Sequence, residues 1–421
     1  MKKQFLFCAF QLLVLVSGAQ TANKLSLQDC YQLAEQNYPL VKQRELITKT
    51  AGYTIENIRK GLLPQLNIYG QATYQSAVTA IPIKLPGVDI PVLSKDQYKL
   101  FAELNQAVYD GGEIKQQKQL QKNNETLNQQ QLKADLYQLK DRINQLFFGV
   151  LLLDEQLKQN ALVIKDMQLG YHKTVASIKN GVAFKSSGDI ITAEILRNKQ
   201  RSIELIASRK AYTDMLGLYI NRDVDEHTVL IKPQSVTVSH EINRPELQVY
   251  NQQIKNLEVQ NKLFTVKTLP KLNLFLQGGI GRPALNMLSN NVDAYYIGGI
   301  KLTWSPSIFY TLKKSRALID INRKSIDIQK ETFLFNTNLV LKQQDAEVSK
   351  YRQLLTSDDE IIDLRTKVKS TALAQLANGV ITSRDFLSEV NNEDQARQNK
   401  ILHEIQLLMA QYNQQTTTGN Q

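Results

Sequence analysis

Two kinds of hydrophobic spacing alternate along this chain. From 66 to 75 apolar and polar side chains change places at every residue. Leu66, Ile68, Gly70, Ala72 and Tyr74 fall on one face, and Asn67, Tyr69, Gln71, Thr73 and Gln75 on the other. A period of two predicts a strand with one dry and one wet face. The pattern returns in Tyr98, Leu100, Ala102, Leu104 and Val108 against Lys99, Glu103, Asn105 and Tyr109. It returns again in Leu272, Leu274, Leu276 and Ile280 against Asn273 and Gln277, and in Tyr296, Ile300, Leu302 and Trp304 against Lys301 and Thr303. The predicted strands are about 66–75, 98–109, 272–281 and 294–304. Segments of about ten residues suit a tilted strand crossing a bilayer, and an ordinary soluble hairpin also alternates in this way. Aromatic residues near the strand ends (Tyr74, Tyr98, Tyr109, Tyr295, Trp304, Phe309) suit two membrane interfaces.

Between the hairpins the spacing becomes helical. Leu132, Leu136, Leu139, Ile143, Phe147 and Val150 follow three- and four-residue steps in a proline-free stretch, predicting one helix over 113–180. At about 1.5 Å per residue it would run roughly 100 Å. Residues 312–377 repeat the pattern through Leu318, Ile321, Phe333, Leu339, Leu355 and Ile362, and returning helices follow at 188–219 and 383–414. Gln, Asn and Lys fill the remaining helical surface, as 116–131 shows. Narrow apolar seams between wide polar faces predict coiled-coil packing.

The two stretches are copies of one design. Asn37-Tyr38-Pro39 recurs as Asn243-Arg244-Pro245, and Leu63-Pro64-Gln65-Leu66-Asn67-Ile68 as Leu269-Pro270-Lys271-Leu272-Asn273-Leu274, both displaced by 206. Asn180-Gly181-Val182 and Asn378-Gly379-Val380 are displaced by 198, so the second copy has shorter connections. Each copy opens with a helix, at 26–60 with Ser26 as its cap and at 244–266. Pro64 and Pro270 then stop those helices before the strands begin. The predicted organisation is a first repeat over 20–220, a linker at 221–240, a second repeat over 241–415 and a polar tail at 416–421. Pro233 and the β-branched Val236 to Val238 interrupt helical character in the linker. Residues 76–97, with Pro82, Pro86 and Pro91, and 283–293 read as loops between strands.

Composition narrows the class. Met1-Lys2-Lys3, an apolar Phe5 to Val16 and the small residues Ser17-Gly18-Ala19 predict a secretory signal over 1–19. Cys8 lies too early in it for a lipid anchor, and cleavage of the signal would leave Cys30 without an internal disulfide partner. Beyond residue 19 there are 49 basic and 40 acidic side chains. Such an excess raises the question of nucleic acid, and an exported chain argues against that partner. No later run reaches the roughly 18 apolar residues of a spanning helix. Four strands cannot close a barrel, and an open sheet in lipid leaves backbone groups unpaired. Membrane strands here would therefore be completed by other subunits.

In this order the motifs resemble the TolC family of outer-membrane efflux proteins over essentially the whole chain after the signal. The duplication, the Asn-x-Pro helix start and the Leu-Pro-x-Leu junction carry the resemblance, with Tyr109-Asp110-Gly111-Gly112, which is similar to the family's Phe-Asp-Gly-Gly. The resemblance implies a mainly α fold with a small β part. Very long antiparallel coiled-coil helices would join four membrane strands per chain, and a homotrimer would form a twelve-stranded barrel continuous with an α-helical tunnel. It implies a passive exit duct in the outer membrane of a Gram-negative bacterium, in contact with outer-membrane lipid, its helices in the periplasm. Its partners would be a periplasmic adaptor protein and an inner-membrane RND or ABC transporter, in efflux or type I secretion. A non-transporting periplasmic or surface coiled-coil protein is the competing class, and it leaves the duplicated helix–proline–strand junctions unexplained.

The resemblance also marks candidate sites. Gly181-Val182-Ala183 and Gly379-Val380-Ile381 match the tip turns where adaptor hairpins dock. The family's inward acidic residues stand six and nine positions after the second tip glycine. Here those positions hold Asp385 and Ser388, with Glu389 adjacent, and Asp189 follows Gly181 by eight. Three Asp385 carboxylates in a ring would repel one another unless solvated or bound to cations, which suits a pore. A solvated residue near a helix N-terminus is the plain reading of the same aspartate. Pro64, Pro270, Gly111 and Gly112 are junction residues, and the second copy has Phe309-Tyr310-Thr311-Leu312 where Gly-Gly would stand. Neither an enzyme, a cofactor nor a metal site is expected. His172, His227, His240 and His403 lack ligand spacing and read as exposed surface residues. The Gly181–Ser186 segment lacks the second glycine and preceding strand of a phosphate loop, and Gly278-Gly279-Ile280-Gly281 continues a strand.

Overall fold

A computed structural model describes residues 24–80, 87 and 92–420. The secretory signal over 1–19, Cys8 and the prolines at 82, 86 and 91 lie outside the described residues. Contacts divide the chain into two units, each assembled from both repeats.

One unit comprises 39–137 and 242–339. It holds α2 (Gln43–Lys60), β2 (Gln65–Tyr74), β3 (Asp96–Tyr109), α3 (Glu113–Tyr137), α6 (Glu246–Lys267), β5 (Lys271–Arg282), β6 (Asp293–Thr303) and the first part of α7 (Ile308–Ala377). The four strands form one antiparallel sheet in the order β2-β3-β5-β6, so the two repeats meet at β3 and β5. Registers such as Leu66↔Leu104, Leu104↔Leu276, Leu100↔Ile280 and Leu274↔Ile300 gather the apolar positions on one face. That face is exposed: Ile68 is 73% accessible, Tyr296 79% and Leu302 68%. The other face carries Asn67, Lys99, Glu103, Asn105, Gln277 and Lys301, with Tyr69 and Phe101 in ring contact at 5.1 Å. α3 packs against α2 and α6 through polar contacts, including Asn256 Nδ2 donating to Asn124 Oδ1 at 2.7 Å.

The other unit comprises residues up to 38, with 138–241 and 340–421. It holds β1 (Lys24–Leu25), α1 (Leu27–Asn37), α4 (Leu139–Lys179), α5 (Lys185–Ile220), β4 (Val229–Leu230), the rest of α7 and α8 (Ser383–Thr418). Phe147, Phe148, Ile143, Val150, Met167, Ile191 and Phe386 fill its apolar seams, each at most 1% exposed. Amides fill gaps between them. Buried Asn160 donates to Asn198 O at 2.8 Å and Ser202 Oγ at 2.7 Å, and buried Asn144 to Asn413 Oδ1 at 2.9 Å.

Several boundaries differ from the sequence expectation. The opening helix over 26–60 is instead α1, a 3-10 turn at Pro39–Lys42 and α2, because Tyr38, before proline, adopts an extended backbone (φ −60°, ψ 134°). The helix over 113–180 is interrupted at the single residue Gln138, whose backbone stays right-handed (φ −63°, ψ −18°) and where neither proline nor glycine signals a stop. In the 221–240 linker, β4 pairs with β1 in parallel, burying Leu230 and Leu25. The polar tail at 416–421 belongs to α8 as far as Thr418, which is fully buried. The Thr416 and Thr418 hydroxyls donate to Tyr412 O at 2.9 Å and Gln415 O at 3.1 Å, so these side chains enter the interior with their donors satisfied. A register slip between Ala107 and Tyr109 sets Tyr109 opposite Leu272, on the apolar face and not with Lys99.

Candidate functional site

The helical hairpin turns end their first helices in the same way in the two copies. Asn180 caps α4, Gly181 takes φ +73°, and Val182 N–H donates to Ser177 O at 2.9 Å while Gly181 N–H donates to Ile178 O at 3.0 Å. Asn378, Gly379 (φ +70°), Val380 and Ile381 reproduce this ending, with Val380 N–H on Gln375 O at 2.9 Å and Gly379 N–H on Leu376 O at 3.1 Å. This pairing closes a helix C-terminus with a left-handed residue that only glycine adopts cheaply. The two turns lie together, since a Cβ on Gly379 would stand 3.2 Å from Val182 Cγ1. Val182, Phe184 and Val380 are exposed at 66%, 84% and 68%, and Ala183 is half-buried. Ile381 turns inward onto a cluster of Val163, Met167, Ile191, Leu376, Phe386 and Val390.

The acidic candidates separate. Asp385 is exposed and closes a capping box at the start of α8: its Oδ2 accepts from Thr382 N at 3.0 Å and Thr382 Oγ1 at 2.7 Å. The Thr382 hydroxyl, then its amide, hold the Asp385 carboxyl below the ordinary aspartate value. Ser388 is exposed one turn on. Glu389 is half-buried and leans to α7, 3.6 Å from Arg365. Asp189 lies exposed in the first turns of α5, beside buried Gly188.

Behind the tip lies an ionic cluster that sequence spacing does not reveal, because its members come from three helices. Glu393 of α8, 3% exposed, accepts from Arg397 Nη2 at 2.7 Å and Thr366 Oγ1 at 2.8 Å, and pairs with Lys369 of α7. Lys369 also donates to Asp166 of α4 at 2.6 Å. Burial pushes the Glu393 carboxyl up, but donors from Lys369, Arg397 and Thr366 outweigh it and hold the group below its ordinary value. His403, expected at the surface, is half-buried with Nδ1 2.6 Å from buried Asp358 Oδ2, because α7 packs over it. Among the described residues no group of three or more His, Cys, Asp or Glu is placed to hold a metal.

The junction residues shape the sheet's helix-proximal end. Pro64 and Pro270 stand directly before β2 and β5. Gly111 (φ +71°) and Gly112 (φ +85°) turn β3 into α3, and Asp110 accepts from Gly112 N at 2.8 Å and Ile114 N at 2.7 Å. A Cβ on Gly111 would meet Val266 O at 3.0 Å, so the close approach of α6 also requires glycine.

Long helices paired through Schellman-closed tips, joined to a four-stranded sheet with an exposed apolar face, define the TolC-like outer-membrane channel fold. Solved structures with this fold include two bacterial outer-membrane channels and a bacterial outer-membrane protein. The Campylobacter jejuni outer-membrane channel CmeC matches with a TM-score of 0.62 at 12% identity, over 93% of this chain and 85% of that one. The Neisseria gonorrhoeae outer-membrane channel MtrE in its open state matches at 0.64 and 14%, over 94% and 89%. The Vibrio cholerae outer-membrane protein VceC matches at 0.63 and 10%, over 94% and 96%. No family model and no curated protein matches the sequence.

Proposed function

We propose that this chain is one protomer of a trimeric exit duct in the outer membrane of a Gram-negative bacterium. The observation that carries the reading is the sheet. Its apolar face lies open, and β2 and β6 end the strand order without a further neighbour among the described residues. In hydrocarbon such edges would strand backbone donors and acceptors, each costing several kcal/mol, so further copies must complete the sheet, and the likeness to TolC-type channels supports three copies closing a twelve-stranded barrel. The helical part would form the periplasmic tunnel. Adaptor hairpins would dock on the turns of Gly181, Val182, Ala183, Gly379, Val380 and Ile381, where exposed Val182 and Val380 and tight glycine turns favour close apposition of another helical hairpin and inward-packed Ile381 braces the second turn. Asp385, Ser388, Glu389 and Asp189 would line the periplasmic gate, with Asp385 the strongest of the four because its exposed carboxylate stands at the first position the resemblance marks. Transport would be passive at this subunit, an inner-membrane RND or ABC transporter supplying the energy.

Fractionation of expressing cells, followed by planar-bilayer recording of the purified protein, tests the reading. The expected result is outer-membrane recovery and discrete conductance steps. Recovery as a soluble periplasmic species without channel activity overturns it in favour of a coiled-coil structural protein.

A further inference from the structure

The duplication gives the chain two strand-to-helix junctions, and they differ in charge. The first is balanced: Asp110 closes the turn, Glu113 pairs with Lys271 at 2.5 Å, and Lys115 and Lys118 follow. The second has no acidic residue in the first turn of α7. There Trp304, Phe309 and Tyr310 lie exposed at 56%, 50% and 87%, and Lys313, Lys314 and Arg316 follow. Trp304 stands just past the end of β6, two residues beyond Leu302 of the apolar face. Its indole N–H donates to Thr268 O at 3.0 Å, and Arg316 Nη2 donates to Thr265 Oγ1 at 3.1 Å. Those bonds bring the last turn of α6, with exposed Lys267, beside the Trp304 indole and the start of α7. Lys267, Lys313 and Lys314 pair with no described acidic residue. The imbalance is general to this part of the chain. The sheet-bearing unit has 25 basic and 15 acidic residues, and the other unit 26 and 25.

We infer that this aromatic and cationic patch binds the phosphate headgroups of anionic phospholipids at the rim of the apolar sheet face. The inference rests on the membrane reading above and adds a lipid class to it. With the apolar face in hydrocarbon, its rim lies at headgroup level, where indole and phenol rings partition. Lysine stems run along apolar surface while their ammonium groups reach outward to phosphate. Zwitterionic lipid satisfies the rings equally well, and only a net negative headgroup answers the unpaired lysines. A soluble acidic protein would answer the charge but not the aromatic residues just past the end of the apolar face.

Trp304 is the only tryptophan in the chain, so its fluorescence reports on this patch directly. The full-length protein is reconstituted in phosphatidylcholine bilayers containing graded amounts of brominated phosphatidylcholine or brominated phosphatidylglycerol. The anionic quencher is expected to act with about fivefold higher relative affinity, the effect of one well-placed cation. Raised salt, or the combined variant Lys267→Gln, Lys313→Gln and Lys314→Gln, is expected to bring the ratio to about one. Equal quenching by both lipids, or a preference that survives the variant, overturns the inference and leaves the membrane reading standing. A preference abolished by millimolar inorganic phosphate reassigns the patch to a soluble anion and also overturns it. No quenching by either lipid defeats the membrane reading itself.

Discussion

Asp385 is bound into its own helix start as well as offered to solvent, so a single substitution there changes two things. Replacing it with Ala is expected to raise single-channel conductance or weaken cation block. Thr382→Ala removes the cap partner and keeps the carboxylate, so cation block should survive in that variant. Planar-bilayer recording of both separates charge from capping: unchanged behaviour in Asp385→Ala rejects a gate role, and equal loss in both variants assigns the effect to the helix end. At this scale the sequence was a good guide where chemistry is local. Asn-Gly-Val at each tip signals a left-handed helix ending, and both glycines have positive φ. The orientation of Glu389 was not legible, since it depends on Arg365 of a neighbouring helix.

Between elements, close packing decides the effect of small changes. A Cβ on Gly170 of α4 would overlap the Phe386 ring of α8. Gly to Ala inside a helix ordinarily gains about 0.5–1 kcal/mol. Here overpacking of about 1–3 kcal/mol wins, so Gly170→Ala should lower the melting temperature of the helical circular-dichroism signal. A rise would show that the ring moves aside freely. The Glu393 cluster adds a pH dependence. Its folded value is depressed, so its contribution is complete above the unfolded glutamate value of about 4.3 and is lost as pH falls through the folded value. Thermal melts should show an acid-side decline below about pH 4 that is smaller in Glu393→Gln; an identical decline in both proteins contradicts this assignment. Strand alternation and proline stops made most elements legible, because each follows from residues near in sequence. The slip at Ala107 to Tyr109 was not, since a bulge is defined by the partner strand, and the interruption at Gln138 carries no local signal. The terminal threonines read as a tail because their burial depends on helix carbonyls that accept their hydroxyls.

At the scale of the whole molecule, the repeats that succeed one another in sequence are interleaved in space. β3 of the first copy pairs with β5 of the second, and α3 packs on α6, so each compact unit draws on both copies. Duplication was legible from recurring motifs, whereas this interleaving needs the pairing between copies. The open sheet is the feature that one chain leaves incomplete. Native mass spectrometry of the detergent-extracted protein tests that directly: the account predicts a species of three chains, and a stable single chain that stays soluble without detergent would contradict it.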